Sequence, residues 1–182
     1  MKKQSNKFNI VLYLVVLVCV FGMFLTTSYA YKNKLEKANS QHITYNNVLM
    51  SIDYFGKNQI NAANIKPGFE DSISFSINNH SKDTIGKYGL VFDIITPLSN
   101  MIDENFVYVL EGENEKKDST NKLILTNETV VPILTKELEG GVITPGNTHT
   151  YKLKVRINKK ANPKNYLGGN LFSAKIRLVS ID

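Results

Sequence analysis

Apolar residues recur at every second position in several segments of this chain, and this spacing limits the available folds more than any other feature. Successive side chains of a strand point to opposite faces of a sheet, so a period of two predicts strands with one buried face. The pattern holds in "NNVLMSIDY" (46–54), "DSISFSIN" (71–78), "HTYKLKVRIN" (149–158) and "NLFSAKIRLVSID" (170–182). A run that is apolar almost throughout, "YGLVFDIIT" (88–96), predicts a more central strand.

Short strands separated by turn signals predict an all-β fold, namely an antiparallel two-sheet sandwich of the jelly-roll or immunoglobulin type. Little helix is expected in this region, although "LTKELEG" (134–140) has the composition for a turn or two. The alternation predicts a core between the two sheets that contains Phe75, Tyr88, Phe92, Tyr151, Leu153, Val155, Phe172 and Ile176.

The sequence contains one internal repeat. "IKPGFEDSISFSI" (65–77) aligns with "ITPGNTHTYKLKV" (143–155) at an offset of 78 residues, with matching Ile, Pro and Gly followed by apolar residues at alternate positions. Proline followed by glycine favours a type II turn, in which the glycine has a positive φ. We therefore predict two equivalent turns that each lead into a strand, formed by Pro67 and Gly68 and by Pro145 and Gly146.

The N-terminus has the features of an export signal. A basic leader, "MKKQSNK", precedes an apolar run, and small residues follow at Ser28 and Ala30. These are the positions that a signal peptidase recognises when it cuts before Tyr31. The alternative is an uncleaved anchor that crosses the membrane through residues 8–27 with its lysines on the cytoplasmic side. Either reading places the remaining chain outside the cytoplasm, and lipidation is not expected because Val18 precedes Cys19.

These features divide the chain into a signal peptide or transmembrane helix (1–30), a polar linker or N-terminal arm (31–42) and a β-sandwich domain (43–182). Three of the 22 basic residues precede the apolar run, which leaves 19 basic against 16 acidic residues in the exported part. So small an excess of positive charge does not indicate nucleic-acid binding. Cys19 is the one cysteine, so the exported part has neither a disulfide nor a cysteine nucleophile.

Four segments occur in the order typical of one family. They are "SYAY" (28–31), the stretch from "NNVLMSIDYFGKNQINAANIKPGFEDSISFSI" to "GLVFDI" (46–94), "ITPGNTHTYKLKVRI" (143–157) and "GGNLFSAKIRLVSI" (168–181). In this order the chain resembles the TasA/camelysin family of exported proteins of low-GC Gram-positive bacteria. The resemblance implies a jelly-roll-like sandwich, secretion through a dedicated signal peptidase and assembly into biofilm matrix fibres, in which the N-terminal segment of one subunit completes a sheet of the next. The chain is shorter than the larger members and lacks long insertions between its strands.

The camelysin branch carries a protease label, but the sequence provides no catalytic motif for it. There is no HExxH, and His42, His80 and His149 are not spaced as metal ligands along the chain. A GxSxG motif is also absent. We therefore expect no enzymatic activity, no catalytic residues, no metal site and no cofactor, and a camelysin-like metalloprotease remains a distant alternative.

Basic residues alternate with apolar ones on two predicted strands. If these strands are neighbours, five cations share one outer face and could contact an anionic cell-wall polymer or extracellular DNA. The alternative is an ordinary solvated face on which lysines prevent aggregation. The residues concerned are Lys152, Lys154, Arg156, Lys175 and Arg177.

Together these features predict a non-enzymatic, exported structural protein, located outside the cell or on the outer face of the membrane. Once released by the signal peptidase, residues 31–54 would form an arm that pairs with a neighbouring sandwich and builds filaments, with Val48, Met50 and Ile52 filling its apolar side. If the chain stays uncut, the same strand would fold back onto its own domain, and the protein would be a membrane-tethered binding module on the cell surface.

Overall fold

The computed structural model describes Leu17 and residues 40–96, 104–116, 118–166 and 171–181. Asn39–Asp182 form one compact unit, and the other unit, Met1–Ala38, contributes only Leu17 to the described residues. Between residues 40 and 181 the described chain contains strands and one 3-10 turn, Pro163–Tyr166, but no α-helix. The strands are β1 (Ser40–Tyr45), β2 (Val48–Tyr54), β3 (Gln59–Ala63), β4 (Glu70–Asn79), β5 (Gly86–Thr96), β6 (Phe106–Asn114), β7 (Thr129–Val130), β8 (Lys136–Ile143), β9 (Thr148–Ile157) and β10 (Leu171–Ser180).

These strands form two antiparallel sheets. Sheet A has six strands in the order β1-β2-β4-β9-β6-β7, and sheet B has four in the order β3-β10-β5-β8. All the paired strands run antiparallel. The prediction of an all-β chain with two antiparallel sheets is therefore confirmed.

The core lies between the inner faces of the two sheets. Aromatic rings from opposite sheets meet there: Phe92 and Tyr108 have ring centroids 5.0 Å apart, and Phe106 and Phe172 pack edge to face at 5.0 Å. The predicted core is confirmed, because all eight of its residues are buried: Phe75, Tyr88, Phe92, Tyr151, Leu153, Val155, Phe172 and Ile176.

Both proline–glycine turns have the predicted geometry. Gly68 has a φ of 89° and Gly146 a φ of 60°. In the first turn the Phe69 N–H donates to Lys66 O at 2.9 Å, and in the second the Asn147 N–H donates to Thr144 O at 3.2 Å. These are the bonds between the first and fourth residues that close a β-turn.

The two repeats also pair with each other. Strands β4 and β9 are neighbours in sheet A, and their register places Phe75 opposite Tyr151. The Gly68 N–H donates to Ile157 O at 3.0 Å, and the Gly146 N–H donates to Asn79 O at 2.9 Å. These two bonds are equivalent, because the 78-residue offset relates Gly68 to Gly146 and Asn79 to Ile157. A local two-fold axis therefore relates the two turn-and-strand units. Each turn caps the end of the other unit's strand.

Replacing Gly68 with valine is expected to lower the free energy of unfolding by about 1–3 kcal/mol, because a β-branched residue is strained at this positive φ. A Cβ at this position would meet Lys159 Cγ at 3.5 Å, an ordinary contact, so the loss would arise from the backbone and not from crowding. Denaturant unfolding measures the effect, with Gly68→Asn as the control, since asparagine tolerates the left-handed region better. Equal stability of the valine and asparagine variants would contradict this explanation.

Two predictions about local structure were wrong. Residues 134–140, expected to form a helical turn, include the start of β8, because pairing with β5 buries Leu138 while the neighbouring Glu137 and Glu139 stay exposed. The polar arm was expected to extend to residue 42, but β1 begins at Ser40 and pairs with β2 across the turn at Asn46 and Asn47.

Strand β2 lies inside sheet A, between β1 and β4. Its apolar residues Val48, Met50 and Ile52 are buried in the core of their own domain. In this structure the strand therefore folds back onto its own sandwich, which is the arrangement expected of the uncut chain.

Candidate functional site

The five basic residues considered as a polymer-binding face are divided between the two sheets. Lys152, Lys154 and Arg156 lie on β9 in sheet A, whereas Lys175 and Arg177 lie on β10 in sheet B. The expectation of one five-cation face is wrong. Strands β9 and β10 follow each other among the described strands, but the chain crosses to the opposite sheet between them.

Carboxylates pair with two of the three basic residues of sheet A. Lys154 Nζ lies 2.8 Å from Glu111 Oε1 on β6, and Arg156 Nη2 lies 2.6 Å from Glu128 Oε2. Lys152 is placed directly opposite Glu111 by the β6–β9 register. Exposed pairs of this kind contribute about 1 kcal/mol or less to stability. This face thus has the mixed charge of an ordinary solvated sheet.

On sheet B, Arg177 forms two hydrogen bonds to Asp93 on β5. Nη2 donates to Oδ1 at 3.0 Å, and Nε donates to Oδ2. The hydrogen bonds from Arg177 hold the pKa of Asp93 below its ordinary value, although partial burial of the carboxyl group opposes this shift. Lys175 lies opposite the same aspartate in the register. Arg177 is therefore engaged within the sheet and does not present a free cation.

The edge of sheet A at β1 is the structural feature most relevant to strand addition. Among the described residues, no strand pairs with the outer side of β1. Leu49 O accepts the His80 N–H at 2.9 Å, so the peptide groups of Leu49 face β4 and those of Val48 and Met50 face β1. The alternation then directs the peptide groups of His42 and Thr44 away from β2, toward the open edge.

Side chains of β1 and β2 close the neighbouring corner of sheet B. Strand β3 pairs with β10 only as far as Lys175. Beyond that point the Tyr54 hydroxyl donates to Ile176 O, and Gln41 Nε2 donates to Leu178 O at 3.4 Å. Burial raises the pKa of Tyr54 to about 12, so this donor stays protonated at neutral pH. The β1–β2 hairpin thus caps an edge of the opposite sheet as well as forming an edge of its own.

A chain of hydrogen bonds crosses the core from one sheet to the other. Tyr88 Oη on β5 lies 2.7 Å from His149 Nδ1 and 2.5 Å from Tyr151 Oη, both on β9. Tyr151 Oη accepts the Ile124 N–H at 3.0 Å, and His149 Nε2 lies 3.3 Å from Asn121 Oδ1. Since His149 is fully buried, burial lowers its pKa to about 4.

The direction of each bond in this chain can be assigned. Asn121 Oδ1 also accepts the Thr144 N–H at 2.8 Å, which identifies it as the amide oxygen. His149 Nε2 therefore carries the proton, Nδ1 accepts from Tyr88, and Tyr88 accepts from Tyr151. A neutral imidazole thus satisfies every member of the chain. Because the histidine and both tyrosines are buried, we interpret this network as a structural link between the sheets.

The structure brings two histidines together that the sequence separates. His42 and His80 have ring centroids 6.3 Å apart on the outer face of sheet A. Spacing along the chain gave no sign of this pair, since the β1–β2 and β2–β4 registers create it. Within the ranges that the structure describes, no group of three or more His, Cys, Asp or Glu side chains could hold a metal ion.

The residues proposed for signal cleavage, Ser28, Ala30 and Tyr31, lie outside the described residues, as does the proposed membrane segment 8–27 apart from Leu17. In the part of the chain that was described, no helix has the length and apolar character needed to span a membrane.

Comparisons with known proteins add little. No protein-family model matches the chain, and no curated protein matches it. Among solved structures the chain is similar to the Salmonella enterica trimeric lipoprotein SadB, with 10% sequence identity, a TM-score of 0.28, and coverage of 99% of this chain and 85% of that one. So low a TM-score supports no argument about fold or function.

Proposed function

We propose that this chain is an exported, non-enzymatic structural protein that assembles by strand addition at the free edge of β1. The observation that carries the proposal is the geometry of that edge, where His42 and Thr44 direct their peptide groups away from β2, the one strand that pairs with β1 among the described residues. An unpaired edge of this kind is a template for a strand of another chain. Head-to-tail pairing of this kind builds an open filament unless its rotation closes the subunits into a ring.

Export is supported by the sequence, through the basic leader, the apolar run and the small residues Ser28 and Ala30 before Tyr31. The resemblance to the TasA/camelysin family leads to the same proposal of a matrix or fibre component outside the cell. The jelly-roll-like assignment belongs to this proposal. It is supported by the chain order, because β2 to β6 alternate between the two sheets and β8 to β10 do so again.

The proposed assembly uses β1 as an acceptor for another chain's strand. The sequence instead predicted that residues 31–54 are donated to a neighbouring subunit. Because Val48, Met50 and Ile52 fill their own core, β2 cannot be donated without opening the domain. Addition to the outer side of β1 requires no such opening. The membrane-tethered module remains the alternative function.

Replacing Thr44 with proline is expected to abolish fibres of the protein as its native cells export it, seen in electron micrographs, while leaving the fold intact. Proline removes an N–H that points to the open edge, and edge strands tolerate it. The matched control is Thr44→Val, which keeps the N–H and should still form fibres. Thermal melting of both variants checks that the domain is folded.

Two results would overturn the proposal. One is that the folded Thr44→Pro variant forms as many fibres as the wild-type protein. The other is native protein that is detected only at the membrane, with an intact mass running from Met1 to Asp182 and no fibres, which would favour the tethered module. A native chain that begins at Tyr31 and forms fibres supports release and assembly.

A further inference from the structure

The outer face of sheet A carries a polar cluster that strand addition does not use. We name it the β2 cluster: His42, Ser51, Asp53, Asn78 and His80. His42 lies directly opposite Ser51 in the β1–β2 register, and the His80 N–H donates to Leu49 O on the other side of β2. The two imidazoles therefore approach the same strand from either side, and both histidines are exposed.

Hydrogen bonds beneath the imidazoles set the proton on His80. Ser51 Oγ lies 3.0 Å from Asp53 Oδ2 and 2.8 Å from His80 Nε2. A carboxylate can only accept, so Ser51 donates to Asp53 and its oxygen accepts the proton of His80 Nε2. The other nitrogen of this ring, Nδ1, then carries the lone pair. Ser51 is fully buried, which fixes this arrangement in the sheet.

Asp53 gives the β2 cluster a negative charge. Its carboxylate also accepts from Ser40 Oγ and from Asn78 Nδ2, each at 2.6 Å. Within the described ranges Asp53 takes part in no ion pair. A histidine that donates one ring N–H into a network ending on a carboxylate has the hydrogen-bonding arrangement of a metal ligand, because such a network fixes the tautomer and the orientation of the ring.

We propose that His42 and His80 form a two-imidazole site for a divalent transition metal ion, with water completing its coordination. Rings bound to one ion at about 2.0–2.1 Å have centroids roughly 5–6 Å apart. The present separation of 6.3 Å thus needs only a small rotation of exposed side chains. Imidazole ligands favour Cu²⁺, Ni²⁺ and Zn²⁺ over Mg²⁺ and Ca²⁺, with Cu²⁺ bound most tightly.

A bound ion would also have a mechanical consequence. His42 lies on β1, and His80 directly follows β4, so the ion would connect these strands across β2. Strand β1 lies at the edge of its sheet. The ion is therefore expected to hold this edge strand in place and to raise the melting temperature of the domain.

The test is calorimetric titration of the full-length protein with NiCl₂, compared among variants in the same background. His42→Asn and His80→Asn are each expected to weaken binding at least tenfold, and the double variant should lose little more than either single one, because a chelate needs both rings. Ser51→Ala keeps both imidazoles but removes the hydroxyl that orients His80, and it should weaken binding about 10–100-fold. MgCl₂ should give no binding heat.

Thermal melting provides the second measurement. Ni²⁺ should raise the melting temperature of the wild-type protein but not that of the folded His42→Asn variant. The proposal is overturned if the wild-type protein binds no more tightly than the double variant. It is also overturned if the losses of the two single variants add, since independent histidines would behave in that way.

Discussion

Replacing Phe75 with alanine is expected to lower the free energy of unfolding by about 3–5 kcal/mol. Phe75 is fully buried on β4, in the middle of sheet A. Its ring stacks on Tyr151 with centroids 5.4 Å apart and lies 6.2 Å from the ring of Tyr54. Truncation would remove these contacts and leave a cavity that the surrounding strands cannot fill. Equilibrium denaturation at neutral pH measures the loss.

The matched control is Phe55→Ala, the same substitution at a ring that is 57% exposed. It is expected to change stability by about 0.5 kcal/mol or less, as surface substitutions usually do. If the two variants unfold at the same denaturant concentration, the ring of Phe75 does not contribute to the core as the structure indicates.

Acidification from pH 6.5 to pH 4 is expected to destabilise the folded domain by about 3 kcal/mol through His149. Burial lowers the pKa of this imidazole from its ordinary value of 6.5 to about 4. Between these pH values the unfolded chain binds more protons than the folded one, so stability rises with pH across this window. The contribution is fully present above pH 6.5 and is lost as the pH falls toward 4.

The hydrogen-bond chain gives the structural reason. A proton on Nδ1 would face the Tyr88 hydroxyl, which now donates to that nitrogen. Tyr88 would then have to donate to Tyr151, whose oxygen already accepts the Ile124 N–H. The proton of Tyr151 would lose its acceptor inside the core, which is costly.

Denaturant unfolding at pH 7 and at pH 4.5 measures this effect, with His149→Asn as the variant that cannot titrate. The wild-type protein should lose about 2–3 kcal/mol more than the variant between the two pH values. Tyr88→Phe is a second variant, which keeps His149 but removes the hydroxyl that donates to its Nδ1. If wild-type protein and His149→Asn lose equal stability on acidification, His149 is not the group responsible. Asp93 acts in a separate window, because its lowered pKa matters only at more acidic pH.

The histidine pair illustrates why the candidate sites were harder to predict than the core. His42 and His80 are 38 positions apart in the sequence. Their approach depends on two strand pairings, β1 with β2 and β2 with β4. The basic residues show the converse, because Lys154 and Lys175 have the same alternating pattern but lie in different sheets. Local spacing cannot distinguish these outcomes, since it does not determine which strands are neighbours.

By itself, the sequence determined the strands whose apolar residues alternate, which are β2, β4, β9 and β10, the buried face of each and the two proline–glycine turns. These features follow from residues that are close in the chain. Alternation of apolar and polar residues determines which face of a strand is buried, as at Phe75 and Leu153. The fixed φ of proline and the conformational freedom of glycine determine the turns. Only the tertiary structure decided strand order and everything that depends on it. Pairing with β5 made residues 136–140 part of a strand despite their helical composition, and the crossing between sheets separated Arg156 from Arg177. Pairing of β1 with β2 likewise extended the domain to Ser40. The physical reason is that strand pairing is stabilised by backbone bonds and apolar burial between distant segments, which local propensity cannot specify.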